Sequence, residues 1–418
     1  MNFRSRSHHA AHSDEDPQDD VPKMDLVYRG EAALIATDEQ LTGLIEKLRA
    51  SGNFAYDSEF IGELTYYPKL CLVQVASHNT LALIDPLAGI NMMPFWELLA
   101  DPVVTKIVHA GNSDLEPVVR HLGRPAANVF DTQIGAGFIG LPYPVSLKKL
   151  VFDLTGANLG RDLGLSNWQQ RPLSPSQLRY AADDVRYLLA VYKEMITRLD
   201  ALGRHRWAEE ECASSCEITS SDLNPKTQYL RVRGRNVLTP RDQAVLRELA
   251  AWRDAAARHH NKPPRALLKD EVMVELARDC PRSIVELAKF RTLPKAIVEA
   301  FGTDIVAAVT RGNALPDTEL PKAESELSAE DKFRADSLFA VLQCICAGTK
   351  LDHGFVTNRK ELEMFYQHVA HGTGDLPALL QGWRRECVGD LLRSFLEGRS
   401  GLEMAWEAGI LRTSSANH

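Results

Sequence analysis

The sequence predicts a mixed-sheet α/β domain followed by two small all-α modules. Three observations carry this reading. From about Leu26 to residue 205, short apolar runs alternate with helical stretches. After Pro240 the strand signals vanish and short helical stretches with polar corners take over. Two segments poor in core-forming pattern, 206–238 and 313–327, divide the chain into blocks of domain size.

Residues 1–24 have almost no apolar content and carry an acidic cluster (Asp14, Glu15, Asp16, Asp19, Asp20), so disorder is expected there. They also lack the apolar core of a secretory signal. NFAYDSEF, CLVQVAS and TLALIDP read as three strands joined by short polar turns, an antiparallel meander, and KIVHAG reads as a fourth strand. Helices are predicted at 38–50, 94–100, 113–122, 146–151 and 175–200, which closes the first domain over 25–205. Residues 206–238, with balanced charge and an NPKTQY turn, read as a bridge. Residues 239–312 contain four or five short helices with corners at NKPPR, DCPRS and RTLP. The Pro-containing acidic segment 313–327 is a second linker, and 328–412 is again helical. The similar size of the two helical modules suggests a duplicated unit, without a residue-by-residue repeat.

The composition, 44% hydrophobic and 25% charged, excludes a collagen, a coiled-coil rod and a wholly disordered chain. No apolar run approaches the roughly 18 residues that cross a bilayer, so no membrane role is expected. Seven cysteines in a long chain point to a reducing compartment, free thiols and a cytoplasmic location. The net charge of −8 argues against a protein that coats nucleic acid. Residues 239–312 nevertheless carry 13 basic against 10 acidic side chains, while the blocks on either side are acidic. That small excess is a hint of contact with a phosphate backbone.

Three acidic elements stand out. In the strand FAYDSEF, Asp57 and Glu59 are two residues apart and face the same side. They are either solvated acids at a strand end or a pair held together by a cation. Asp114 follows a strand and a Gly-Asn-Ser turn and opens a helix, where capping is the common reason for an acid. In YAADD, Tyr180 and Asp184 lie four residues apart on one helix face, and Asp183 points elsewhere, toward solvent. The alanines between them fit a pocket or tight helix packing. Four oxygen ligands from three elements suit two hard divalent cations about 4 Å apart, an arrangement that hydrolyses phosphodiesters.

The order D-x-E, strand-turn-D, Y-x-x-x-D resembles the motifs of the DEDD superfamily of 3′→5′ exonucleases, tyrosine subclass. DSEFIGELTYYPKLCLVQVA, LALIDPL, HAGNSDLE, FDTQIGAGF and LSNWQQRPLSPSQLRYAADDVRYL are similar to the bacterial ribonuclease D family over about residues 25–205. AVLRELAAWRDAAARHHNKPPRALLKDEVMVELARDCPRSIVEL resembles an HRDC domain, a helical nucleic-acid-binding module. The resemblance implies an α/β ribonuclease H-like exonuclease domain followed by two all-α HRDC-type domains. The second would occupy 328–412, with GWRRECVGDLL as its best match.

The resemblance further implies that Asp57, Glu59, Asp114 and Asp184 ligate two Mg2+ or Mn2+ ions and that Tyr180 orients the attacking water. Glu59 would also contact the terminal 3′-hydroxyl. The products would be 5′-mononucleotides released from RNA 3′ ends, tRNA precursors included; a monomer is the default expectation, since the sequence does not fix the oligomeric state. Phe60, Leu64 and Tyr66 are candidates to stack on terminal bases, and Asn112 to touch substrate. For Tyr66 and Tyr67 sheet packing is the competing expectation. Asp85 and Asp131 read as structural acids, His109 as support beside a ligand, and Trp252 as core. The rivals are a DNA-processing exonuclease on the same motifs and a catalytically inactive RNA-binding relative.

Overall fold

The computed structural model describes residues 24–62, 64–222, 227–321, 327–407 and 410–417. Except for Met24, the N-terminal segment expected to be disordered lies outside these residues, as does part of the 313–327 linker. The first domain runs β1 (Ala33–Ile35), α1 (Asp38–Ser51), β2 (Asn53–Ile61), β3 (Lys69–Ser77), β4 (Thr80–Ile84), α2 (Met93–Leu99), β5 (Thr105–Val108), α3 (Asn112–Leu122) and β6 (Val129–Asp131). It continues with α4 (Thr132–Phe138), α5 (Leu147–Thr155), α6 (Pro175–Arg186), α7 (Leu188–Ala201) and α8 (His205–Asp222).

The sheet order is β1-β4-β3-β2-β5-β6. Strands β2, β3 and β4 form the antiparallel meander, while β1 pairs parallel with β4, β5 with β2, and β6 with β5. Edge strands β1 and β6 span three residues each, too few to display a period-two pattern in the sequence. Alternation along β2 sorts its side chains between two layers. Phe54 and Tyr56 pack with Leu41, Leu48, Phe95 and Val118 of α1–α3. Ala55 packs with Ala182, Val185 and Leu189 of α6 and α7.

The single helix expected over 175–200 is two helices, interrupted at the buried Tyr187. The break lets α6 lie across β2–β4 while α7 turns to pack on β5 and α5. The bridge expected at 206–238 also needs correction. Its first half is α8, whose Ala208, Cys212 and Cys216 are buried against the first domain.

The first helical module comprises α9 (Pro240–His259), α10 (Pro264–Leu267), α11 (Asp270–Asp279), α12 (Ile284–Leu287) and α13 (Lys295–Asn313), around Leu246, Leu249, Met273, Leu276 and Ile305. Trp252 packs against this core, as expected. The last block holds α14 (Ala329–Thr349), α15 (His353–Val356), α16 (Arg359–His371), α17 (Gly382–Arg384) and α18 (Asp390–Leu396). It then ends in an antiparallel hairpin, β7 (Ser400–Glu407) and β8 (Ile410–Asn417), where helix was expected to residue 412. The hairpin runs along α14. This block shares a core with the first domain: Phe355 and Trp383 pack on Phe138 at centroid distances of 4.8 and 4.7 Å.

Candidate active site

Because β2 alternates, Asp57 and Glu59 leave the strand on the side of Ala55, toward α6. Helix α6 is nucleated by a capping box between Ser174 and Gln177, with Pro175 in its first turn. Its Ala181 and Ala182 are buried against the sheet, so the alanine pair serves close packing. That approach carries Asp184 to β2. Ligand oxygens of Asp57, Glu59 and Asp184 lie within 4.8 Å of one another. Asp183 points away, pairing with Arg186 at 2.9 Å where solvation was expected.

Asp114, at the start of α3, lies outside this three-acid cluster and is held by residues of the opposite face of β2. Ser58 faces α3 and its hydroxyl donates to Asp114 Oδ1 at 2.5 Å, while Tyr56 donates to the Asp114 carbonyl at 2.7 Å. The turn before α3 is held by Asp131, which accepts from the amides of Ala110 and Gly111 at 3.0 Å each. Gly111 is required there, since a Cβ would sit 2.7 Å from Val108. Asp131 is therefore the structural acid expected. Asp85 is another: it caps the turn at Leu87 and takes two hydrogen bonds of 2.7 Å from Arg171. Burial alone would raise the Asp85 carboxyl, but Arg171 pulls it below the usual range.

The cage acids behave in the opposite way. Loss of solvent, then the charge of Asp184, pushes Asp57 well up; Asp184 is raised mainly by burial. Glu59 is pushed up to about 9 by burial and then by Asp57, Asp184, Asp114 and Asp162. Burial and Asp57 also raise Asp114. Three acids whose ligand oxygens converge, coupled by charge to Asp114 and with no cationic side chain among these causes, form a hard-oxygen donor set that fits divalent cations.

Tyr180 extends the cage. Its hydroxyl stabilises charged Asp184 and reaches Asp162 Oδ1 at 3.5 Å. Burial, then the neighbouring acids, raises its phenol above the ordinary value. Its ring lies 6.0 Å from the buried Trp168. Asp162 sits in an irregular loop whose sequence carries no periodic signal, so local pattern does not reveal it. Ser58 was visible only as the middle residue of D-S-E.

Other candidates fall elsewhere. Leu64 is 84% exposed in the turn after β2, and Phe60 is half-buried beside a bulge in the β2–β3 ladder. The side-chain oxygen Oδ1 of Asn112 accepts from the Ser215 hydroxyl of α8 at 2.7 Å, which ties α3 to α8. His109 has both ring nitrogens engaged, with Thr132 and with the Val145 carbonyl, each at 3.0 Å. Tyr66 and Tyr67 neither pack in the sheet nor face the cage. They are held by α9, through Asp254, Arg258 and the following Asn261. The seven cysteines are free thiols, as expected.

The comparisons with known proteins agree with this geometry. Residues 33–200 match the 3′-5′ exonuclease family model, and residues 242–309 match that of the HRDC domain. Ribonuclease D of Gluconacetobacter diazotrophicus is 37% identical over 372 residues, covering 88% of this chain and 93% of that protein. Ribonuclease D of Pseudomonas paraeruginosa is 34% identical, covering 87% and 97%. The crystal structure of Escherichia coli RNase D, described as an exoribonuclease involved in structured RNA processing, superposes with a TM-score of 0.78 at 29% identity, over 88% of this chain and 99% of that one. With Asp57, Glu59 and Asp184 of the motif gathered from β2 and α6, the chain belongs to the ribonuclease D family of 3′→5′ exoribonucleases.

Proposed function

We propose that this chain shortens RNA one 5′-mononucleotide at a time from the 3′ end, with tRNA precursors among its substrates. Two divalent cations, Mg2+ or Mn2+, are assigned to Asp57, Glu59, Asp114 and Asp184. The observation that carries this reading is the convergence of the Asp57, Glu59 and Asp184 oxygens within 4.8 Å, beneath the Tyr180 hydroxyl. When bound, the cations would supply Lewis-acid stabilisation of the attacking and leaving oxygens.

The remaining work belongs to side chains. Tyr180 orients the attacking water by hydrogen bonding; its raised phenol makes it a poor base. Glu59 faces the terminal 3′-hydroxyl. Leu64 and Phe60 offer apolar surface to the last bases, and the exposed Asn112, whose Oδ1 is bonded to α8, keeps its amide NH2 for the substrate. The module at 239–312 contacts the RNA body, and 328–412, HRDC-like in position, supports domain arrangement more than it grips phosphate. The unit is a cytoplasmic monomer.

The test uses 5′-labelled RNA with a short 3′ overhang, incubated with Mg2+ or with EDTA, beside a matched DNA strand. A metal-dependent ladder receding from the RNA 3′ end is expected. Equal cleavage of DNA would move the assignment to DNA processing, and tight binding without cleavage would contradict catalysis.

A further inference from the structure

Gln74 of β3 is fully buried, and both its amide nitrogen and its amide oxygen lack a hydrogen-bond partner among the described residues. A buried amide left unsatisfied is costly, and few are tolerated in a native fold. Its surroundings make the position unusual. In the β2–β3 ladder Gln74 stands directly opposite Asp57, and across β4 it faces Leu83. Along its own strand the residues on the same face are Leu72 and Ala76. Helix α6 covers this face with Ala181, Ala182 and Val185. Directly opposed side chains on one face have Cβ atoms about 4.5–5.5 Å apart. Asp57, with Glu59 on the diagonal, is thus the polar group that the ladder brings to Gln74. The donor the structure gives the Asp57 carboxyl is the backbone N–H of Ser58.

We propose that Gln74 is a positioning residue for the metal cage: its amide N–H holds the Asp57 carboxylate, directly or through one buried water, when that carboxylate carries a divalent cation. Oriented donors behind a ligand raise its basicity and fix its rotamer, and losing one typically weakens metal binding by about 10- to 100-fold. The amide has no partner among the described residues, and Asp57 is the polar group that the ladder sets opposite it. An apolar side chain of similar length at position 74 would therefore cost the empty protein nothing. This inference rests on the reading of Asp57 as a metal ligand.

Thermal unfolding of the full chain, first in EDTA and then over a Mn2+ titration, tests it without recourse to activity. The variants are Gln74→Met and Gln74→Leu, with Asp57→Asn in parallel. In EDTA both Gln74 variants should melt at or above the wild-type temperature, by up to about 2–4 °C. Their stabilisation by Mn2+ should need about tenfold more metal than wild type. An unchanged Mn2+ dependence overturns the proposal. So does a lower melting temperature of both variants in EDTA, because the amide then has partners in the resting fold. If the wild type gains no more from Mn2+ than Asp57→Asn does, it is the metal-ligand reading of Asp57 that fails.

Discussion

The hydroxyl of Tyr66 donates to Asp254 at 2.6 Å, joining the turn that follows the acid-bearing strand β2 to the first helix of the HRDC module. Arg258 donates to the same hydroxyl at 3.0 Å and pairs with Asp254 at 2.9 Å. Asn261 accepts from the backbone amides of Tyr66 and Tyr67 at 3.2 and 3.3 Å. The HRDC module is thereby clasped to the turn that presents Leu64. Tyr66→Phe removes both hydrogen bonds of this hydroxyl, to the buried Asp254 and from Arg258, and should cost about 1.5–3 kcal/mol. Urea unfolding measures this. A variant as stable as the wild type would show that the clasp does not hold the two domains together.

Asp57→Asn and Asp184→Asn should each lower the rate of RNA shortening by more than about 100-fold, the scale of losing one preorganised charge in a closed site. The same substitutions relieve repulsion among buried acids, so the metal-free proteins should be at least as stable as wild type near pH 8. Single-turnover assays and melts in EDTA read the two effects. Near-full activity in either variant would sink the assignment of these ligands.

The raised carboxyls dictate a pH dependence for the metal-free protein. Glu59 titrates at about 9 in the fold against an unfolded value near 4.3, and Asp57, Asp184 and Asp114 shift in the same direction. Between those values the folded state binds more protons than the unfolded state, so stability falls as pH rises from about 4 toward 9. Melting temperatures in EDTA should decline across that window, and saturating Mn2+ should remove most of the decline. A metal-free protein that becomes more stable from pH 6 to 9 contradicts the cage electrostatics.

Tyr180→Phe should reduce kcat with little change in KM, as the proposed water-orienting role requires. Asp162→Ala should lower kcat by a smaller factor, about two- to fivefold, the worth of one long hydrogen bond. In a Tyr180→Phe background it should have no further effect. Steady-state kinetics on a short oligoribonucleotide decide the matter, and additive losses would assign Asp162 a role independent of Tyr180.

Local pattern alone determined a large part of this protein. Alternation along NFAYDSEF implied a strand that throws Asp57 and Glu59 to one side, and the four-residue spacing of Tyr180 and Asp184 put both on one helix face. Those are properties of period two and period 3.6, and the fold respects them. The change from strand to helix after Pro240 was legible for the same reason. Edge strands of three residues, the break at Tyr187 and the helix at His205–Asp222 carry no such signature, because packing against distant segments selects them.

Tertiary structure decided what meets what. The hold of Ser58 on Asp114, the anchoring of Asp85 by Arg171, the approach of Asp162 to Tyr180, the clasp between Tyr66 and Asp254, and the orphaned amide of Gln74 opposite Asp57 all join residues far apart in the chain. Sequence spacing fixes direction only within one element. Distance between elements depends on how sheet and helices pack, and burial then converts that distance into the charge coupling on which the chemistry runs.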